Sequence, residues 1–484
     1  MLEYIKDNLW QVFLILNYAI AIITAGSIVL SNLNPTKTLS YLILLVAFPF
    51  VGLIIYFLFG QQYRKSKIFR RKNILNQKNI KEWKEKLKLG YNGLKEFDRE
   101  KFSDKVKLIR LLYNNEEFLL TLCNKVDILI NGEEKFKWLL KDLKNAKKSI
   151  HLEYYIIKDD GVGNEVLEIL CEKAKEGIKV RLSYDSVGSS LSSKTLKKLK
   201  EAEVEFHPFM PVHFPRFTSK LNYRNHRKII IIDGEIGYVG GVNISDRYVN
   251  HTPGIYWRDT HLRIEGEAVG SLQLQFMLNW DFVTPYDVVV ENDFFPKCTV
   301  SDKVPVQIAA SGPDTDWANI MEAIFIAIST ADKYIYITTP YFIPSEEILM
   351  ALIAIAKSGV EVKLIVPKES DSWAAKYATY SYLEKLLEAG VRVYLYKKGF
   401  VHAKTMVIDD IFSTVGTANM DYRSFKINFE INALIYHERT AKQMVQTFNN
   451  DLEFCDEVSY EQWKNRALIQ KMQESFCHLW APLL

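Results

Sequence analysis

Lys175-Glu-Gly-Ile-Lys-Val-Arg-Leu182 reads as the last turn of a helix, a glycine where the helix stops, and a β-branched strand. The same reading returns 182 residues later at Lys357-Ser-Gly-Val-Glu-Val-Lys-Leu364. Upstream, Ala146-Lys-Lys-Ser-Ile-His-Leu152 matches Ala331-Asp-Lys-Tyr-Ile-Tyr-Ile337 at an offset of 185. Downstream, Leu199-Lys-Glu-Ala-Glu-Val204 matches Leu386-Leu-Glu-Ala-Gly-Val391 at an offset of 187. Helices alternating with strands predict α/β units around a buried sheet, and the kept order predicts two such halves. Asp281–Lys303, with two prolines and mixed charge, reads as the linker, which sets a first domain at 126–285 and a second at 304–484.

After the third match each half carries the same polar pattern. The first copy is His226-Arg-Lys228-Ile-Ile-Ile-Ile-Asp233-Gly-Glu-Ile-Gly-Tyr-Val-Gly240-Gly241-Val-Asn243. The second is His402-Ala-Lys404-Thr-Met-Val-Ile-Asp409-Asp-Ile-Phe-Ser-Thr-Val-Gly416-Thr417-Ala-Asn419. In a strand, His and Lys two residues apart point to one face. Asp233-Gly234 is a two-residue hairpin signal, and Asp409-Asp410 a weaker one. With those turns Gly241 lies across from His226 and Thr417 across from His402, and each hairpin gathers an imidazole, an ammonium and a carboxamide.

That set suits a phosphodiester. Transfer of a phosphoryl group needs a nucleophile, an acid for the leaving oxygen and cations on the remaining oxygens. His226, His402, Lys228, Lys404, Asn243 and Asn419 meet that need. No dense Asp/Glu/His cluster accompanies them, so no metal and no other cofactor is expected. Asp233 and Asp409 read equally well as turn residues and as catalytic ones. His151 and Glu153, in the first repeated strand, read either as headgroup contacts or as core.

These residues resemble the phospholipase D superfamily, whose hallmark is the doubled H-x-K-x4-D motif; the resemblance covers roughly Asp127–Leu484. Trp257-Arg-Asp-Thr-His-Leu-Arg-Ile-Glu265 and Gly416-Thr-Ala-Asn-Met-Asp-Tyr-Arg-Ser424 narrow it to the membrane-bound bacterial cardiolipin synthases. The resemblance implies two phospholipase D-like α/β halves packed as a pseudo-dimer around one metal-free site. It implies a phosphatidyl-histidine intermediate, with His226 as nucleophile, and phosphatidylglycerol as substrate. It also implies an acidic residue after each motif to hold the histidine. Glu430, eleven residues past Asn419, matches that pattern, and Asp259 is its first-half counterpart. A hydroxyl at the position after the motif glycine comes from Thr417 alone, since the first half has Gly241. A membrane-anchored phospholipase D, another phosphatidyltransferase, and a non-catalytic lipid-binding scaffold are the alternatives.

The N-terminal region has a different character. Leu9–Leu30 and Leu39–Gly60 are each 22 residues without a charge. Each would span about 33 Å as a helix, against about 30 Å of hydrocarbon. With a connector at 31–38 they predict a transmembrane hairpin over residues 1–60. The leading MLEYIKDN has one lysine against two acids, a poor start for a cleaved leader. Arg64, Lys65, Lys67, Arg70, Arg71 and Lys72 follow the second span, which places the catalytic part on the cytoplasmic side. Residues 61–110 hold 17 Lys+Arg against 6 Asp+Glu, within a basic juxtamembrane segment at 61–125 suited to anionic lipids. The whole chain is only +4, so 111–484 carry a net −7, which disfavours nucleic acid. Five scattered cysteines and no C-x-x-C argue against disulfides or structural zinc. The first half has about eleven extra residues before its motif, within His207–Asn222. Their prolines and aromatic residues predict a loop outside the sheet, lining a membrane-facing mouth.

Overall fold

The computed structural model describes residues 9–30, 35–56, 102, 105–116, 118–211, 223–250, 256–286, 294–296 and 299–481. Most of the basic segment 61–101 and residues 212–222 of the extra loop lie outside them. The described residues form two bodies, an N-terminal one with residues 9–56 and a second holding both repeats.

In the N-terminal body α1 (Leu9–Leu30) is, among the described residues, the one helix long and apolar enough to cross a membrane. Ala21 and Ile28 turn inward to meet Leu45 and Leu53, while Trp10, Ile15, Ile22, Ile23 and Leu30 stay exposed on the outside. That outward apolar face suits lipid. The second apolar stretch is not the continuous helix its composition suggests. It divides into α2 (Pro35–Ala47) and α3 (Pro49–Ile55) at Phe48, whose backbone leaves the helical region at φ −141°, ψ 72°. Pro49 forces this, because the residue before a proline is pushed out of the α region. A Cβ on Gly52 would lie 2.8 Å from the Leu44 carbonyl oxygen, so only glycine lets α3 pack this closely on the end of α2.

The second body opens with α4 (Val106–Glu116) and β1 (Leu120–Thr121). The first repeat contributes β2 (Asn124–Ile130), β3 (Ser149–Tyr154), β4 (Lys179–Asp185), β5 (Glu205–Phe209), β6 (Lys228–Ile232), β7 (Ile236–Gly240), β8 (Tyr256–Arg258) and β9 (Thr260–Gly266). The second contributes β10 (Val306–Ser311), β11 (Tyr334–Thr338), β12 (Phe342–Ile343), β13 (Glu361–Pro367), β14 (Arg392–Tyr396), β15 (Gly399–Val401), β16 (Thr405–Ile408), β17 (Phe412–Gly416), β18 (Met420–Asp421), β19 (Glu430–Tyr436) and β20 (Cys455–Glu457). The sheet orders are β2-β9-β7-β6-β3-β4-β5 and β1-β10-β19-β17-β16-β11-β13-β14-β20. Removing the added edges β1 and β20 leaves the same topology twice, so the mixed α/β repeat read from the sequence is the architecture.

Three local expectations are corrected. Residues 105–121, assigned by composition to the basic segment, belong to the second half. Leu108, Ile109 and Leu112 bury against Ile320, Ile324 and Ile328, and β1 pairs with β10. The extra segment of the first half begins inside the sheet. Pro208 sits in β5 opposite Tyr184, tolerated because β5 is an edge strand, and Phe209 is buried against Phe282 and Phe429. The hairpins, finally, close one residue later than a two-residue turn would. Glu235 N–H bonds the Ile232 carbonyl around Asp233-Gly234, but Ile232 pairs with Ile236, and Ile408 likewise with Phe412. The facing pairs are therefore Ile229–Val239 and Thr405–Val415. Neither Gly241 nor Thr417 lies in a ladder opposite its histidine.

The halves meet through one apolar layer in which Ile229, Val239 and Leu262 pack with Val407, Val415 and Ile431. Short cross-pairings fix the fit. β8 runs parallel to β15, and Asn225 bridges Phe429. These seams carry the histidines: His226 N–H bonds the Phe429 carbonyl at 2.9 Å, and His402 N–H bonds the Arg258 carbonyl at 2.7 Å.

Candidate active site

Each motif histidine sits just before a strand of its own half, with its backbone tied to the residue that precedes an acid of the other half, Phe429 before Glu430 and Arg258 before Asp259. The side chains repeat the exchange. His226 Nδ1 lies 2.9 and 3.0 Å from the Glu430 carboxylate oxygens, and His402 Nδ1 lies 2.6 Å from Asp259 Oδ2. Both acids are buried to 1% exposure or less. A carboxylate on Nδ1 fixes the imidazole's tautomer and turns Nε2 to the free side. Both histidines line one cavity of about 420 Å³, together with Asn243 and Asn419.

Lys228 and Lys404 are buried behind the histidines and donate to the His226 and His402 carbonyls at 2.7 and 2.5 Å. Burial, opposed by Glu430 and reinforced by the Lys404 charge, lowers Lys228 to about 7. Burial likewise lowers Lys404 to about 8, opposed by Asp259 and Glu430. Burial outweighs Glu430 and brings His226 down to about 4, and His402 falls well below its usual value for the same reason. Both imidazoles therefore rest neutral. Burial raises Asp259 to about 6, whereas Glu430 is lowered, its burial outweighed by the hydrogen bond from His226 and the charge of Lys228.

The G-[GT] asymmetry has a steric cause. A Cβ on residue 241 would run into the Asp259 carboxylate. Thr417 instead holds the neighbouring backbone of its acid: its hydroxyl accepts Ile431 N–H at 2.9 Å and donates to the Ile431 carbonyl at 3.2 Å. Thr417, expected to touch substrate, is fully buried and does not line the cavity. Asp233 and Asp409 are also elsewhere. Asp233 accepts the backbone N–H groups of Lys147, Lys148 and Ser149, and Asp409 those of Asp332, Lys333 and Tyr334. Each clamps the start of β3 or β11, at the end of the sheet away from the histidines. Both adopt positive φ, 56° and 53°, which Asp tolerates better than most residues.

Asn243 and Asn419 reach the cavity from the loops that follow β7 and β17. Asn243 accepts Ile156 N–H and donates to the Tyr248 hydroxyl at 2.6 Å; Asn419 donates to Asp421 at 2.8 Å. His151 is core, bonded to Gln273 and stacked on Phe276, and Glu153 is buried against Asn225. The motif search missed Tyr155, Arg224, Arg247, Tyr248, Tyr341, Asp371, Arg423 and Asn428, all of which line the cavity. Two of these had a visible signal: an arginine stands four residues after each motif asparagine, at 247 and 423. Among the described residues no group of three or more His, Cys, Asp or Glu is placed to hold a metal.

Two α/β halves that trade carboxylates across one pair of histidines define a doubled-motif protein of the phospholipase D class. The phosphatidylserine synthase of Haemophilus influenzae shares this fold, with a TM-score of 0.61 at 17% identity over 78% of this chain and all of that one. The family description "cardiolipin synthase, PLD-like domain" matches residues 139–261 and 324–452, and "phospholipase D-nuclease N-terminal" matches 19–61. A cardiolipin synthase of Halalkalibacterium halodurans is 42% identical over 99% of this chain and 96% of its own. The major cardiolipin synthase of Bacillus subtilis is 39% identical over 99% of this chain and 100% of its own. The chain belongs to the cardiolipin synthase family, phosphatidyltransferases of the phospholipase D superfamily.

Proposed function

We propose that the protein joins two phosphatidylglycerols into cardiolipin and releases glycerol, through a phosphatidyl-histidine. The observation that carries this is the pair of neutral, carboxylate-oriented imidazoles facing one cavity. His226 Nε2 forms a bond to phosphorus while the bond from phosphorus to the glycerol oxygen breaks, and His402 gives that oxygen a proton. The hydroxyl of a second phosphatidylglycerol then loses its proton to His402 and forms the new P–O bond, and the N–P bond breaks. Lys228, Lys404, Asn243 and Asn419 supply the charge and dipoles for the phosphate oxygens. The arriving anion opposes the effect of burial, so His402 takes up its proton as substrate binds. The assignment of nucleophile to the first half follows family analogy.

We also place the two apolar stretches, Leu9–Leu30 and Leu39–Gly60, in the bilayer with the connector 31–38 outside, the second stretch returning the chain to the cytoplasmic face, where the basic residues from Arg64 onward meet anionic headgroups. The test is purified full-length protein with labelled phosphatidylglycerol, with and without chelator. Labelled cardiolipin and released glycerol in both arms support the reading. Phosphatidic acid as the sole product would make it a phospholipase D, and loss on chelation would refute the metal-free route. Impermeant labelling of single cysteines at 34 and 64 in intact cells checks the topology.

A further inference from the structure

The cavity has to receive two phosphodiesters. One lies between the imidazoles and reacts. The other belongs to the acceptor lipid, reaches the cavity unchanged, and needs its own counter-charge. Lys228 and Lys404, pinned to the histidine carbonyls, serve the first.

The repeat supplies a second set of cations. Asn243-Ile-Ser-Asp-Arg247 and Asn419-Met-Asp-Tyr-Arg423 put an arginine at matched positions on the cavity wall. Arg224, a third, is held by Asp185 at 3.2 Å. Arg247 differs from Arg224 in its partners. It stands in a short turn, Asp246–Tyr248, and is exposed to the cavity. Its neighbour Asp246 faces away and accepts the N–H groups of Gly161 and Val162 at 2.8 and 2.7 Å. Among the described residues Arg247 meets no carboxylate. Its guanidinium donates to the Tyr248 hydroxyl at 3.2 Å and lies 5.1 and 4.7 Å from the centres of the Tyr248 and Trp257 rings.

Those two rings locate it. Tyr248 and Trp257 also pack against the His402 imidazole, at 5.7 and 5.5 Å between ring centres. His226 has Tyr155 as its ring neighbour instead, at 4.9 Å. The aromatic pair thus holds a guanidinium, without a carboxylate, on the His402 side of the cavity. A guanidinium held by aromatic rings keeps its planar fork of N–H donors, which fits two phosphate oxygens at once.

We propose that Arg247 binds the unreacted phosphate of the acceptor phospholipid, and so favours a phosphatidyl acceptor over water or a neutral alcohol. This rests on the reading that His402 activates the acceptor hydroxyl. In the product, one three-carbon glycerol bridge separates the two phosphates, so the second anion lies next to the residue that takes the hydroxyl proton. Water and small alcohols bring no such anion and gain nothing from Arg247. Selectivity of this kind comes from a built polar contact that the wrong substrate leaves unmet.

The test uses full-length protein in mixed micelles of labelled phosphatidylglycerol with ethanol as competing acceptor, resolving cardiolipin from phosphatidylethanol. Arg247→Gln is expected to lower the cardiolipin-to-phosphatidylethanol ratio at least tenfold, and Arg247→Lys to recover part of it. If Arg247→Gln does not fold, Arg247→Lys alone is expected to lower the ratio by a smaller factor. A ratio equal to that of the unaltered protein, whether both products persist or both fall together, would overturn the proposal. Unaltered protein that makes neither product would instead overturn the proposed function.

Discussion

His402 and Asp259 lie 143 residues apart in sequence and 2.6 Å apart in space, and the hydrogen bond between them crosses from one half of the molecule to the other. His226 and Glu430 make the reciprocal bond over 204 residues. Neither half holds both members of either pair.

One shared site should fail as a unit. His226→Ala and His402→Ala are each expected to abolish cardiolipin formation, since in the proposed mechanism nucleophile and acid act on the same phosphorus. Asp259→Asn and Glu430→Gln should each cut turnover at least a hundredfold, because an amide no longer enforces the tautomer that leaves Nε2 free. Turnover assays on purified variants check this; half-activity in either histidine variant would mean two independent sites, and in either acid variant would mean that the carboxylate does not set the tautomer.

Asp233 and Asp409 carry the motif's name yet hold peptide N–H groups far from phosphorus. Asp233→Ala and Asp409→Ala are expected to cost about 2–3 kcal/mol of stability, since each leaves three backbone donors without a charged acceptor. Chemical denaturation gives the loss. Activity per folded molecule should survive, and its abolition in a fully folded variant would restore a chemical role to the carboxylate.

The pH profile should report the lysines. Lys228 at about 7 and Lys404 at about 8 are charged below those values and neutral above them. The hold on the phosphate proposed for them therefore weakens as pH rises, and kcat/KM for phosphatidylglycerol should fall above about pH 8. A guanidinium stays charged there, so Lys404→Arg is expected to move the falling limb upward, whatever it does to the maximum. A limb that stays in place would assign it to other groups.

Lys135 makes a prediction about stability. It is fully buried one turn into the helix that follows β2, and its ammonium meets rings, with Phe136 at 3.9 Å, but no hydrogen-bond acceptor. Counting back from the matched Ala146 and Ala331, the second half has buried Ile320 at this position. Burial lowers its pKa well below 10.5. Between the two values the unfolded chain binds the proton and the folded one does not, so folding is penalised at low pH and less so as pH rises towards 10.5. Lys135→Met should therefore stabilise the protein at pH 7, by about 1–4 kcal/mol, with the gain shrinking towards pH 10. Melts of both proteins across that range measure it; a gain independent of pH would refute the explanation.

The repeat, the α/β class and the doubled motif were legible because they are local. Helix ends, strand composition and short spacings survive in sequence however the halves dock. The two acids were legible only through family resemblance, and their exchange across the interface has no local signature. Composition misled at 105–121, where Lys105, Lys107 and Arg110 hide the apolar spacing of Leu108, Ile109 and Leu112. A composition count treats every residue alike, whereas burial selects one face of the helix. The one-residue shift of the hairpins was hidden too. Asp-Gly identifies the turn but does not say that Glu235 is extra. The arginines at 247 and 423 repeat in plain view, yet chemistry built around histidine and lysine had no place for them until the cavity walls were known.

A ribosome delivers His226 long before it delivers Glu430. Until the last third of the chain has been made, the first histidine has no carboxylate to orient it, and Asp259 waits beside an empty gap where His402 will dock. The nascent protein grows next to a membrane built of the very phosphodiesters it will one day cut. Dividing each working pair between the early and the late part of the chain keeps an unfinished molecule inert, so the power to break lipids arrives only with the complete fold.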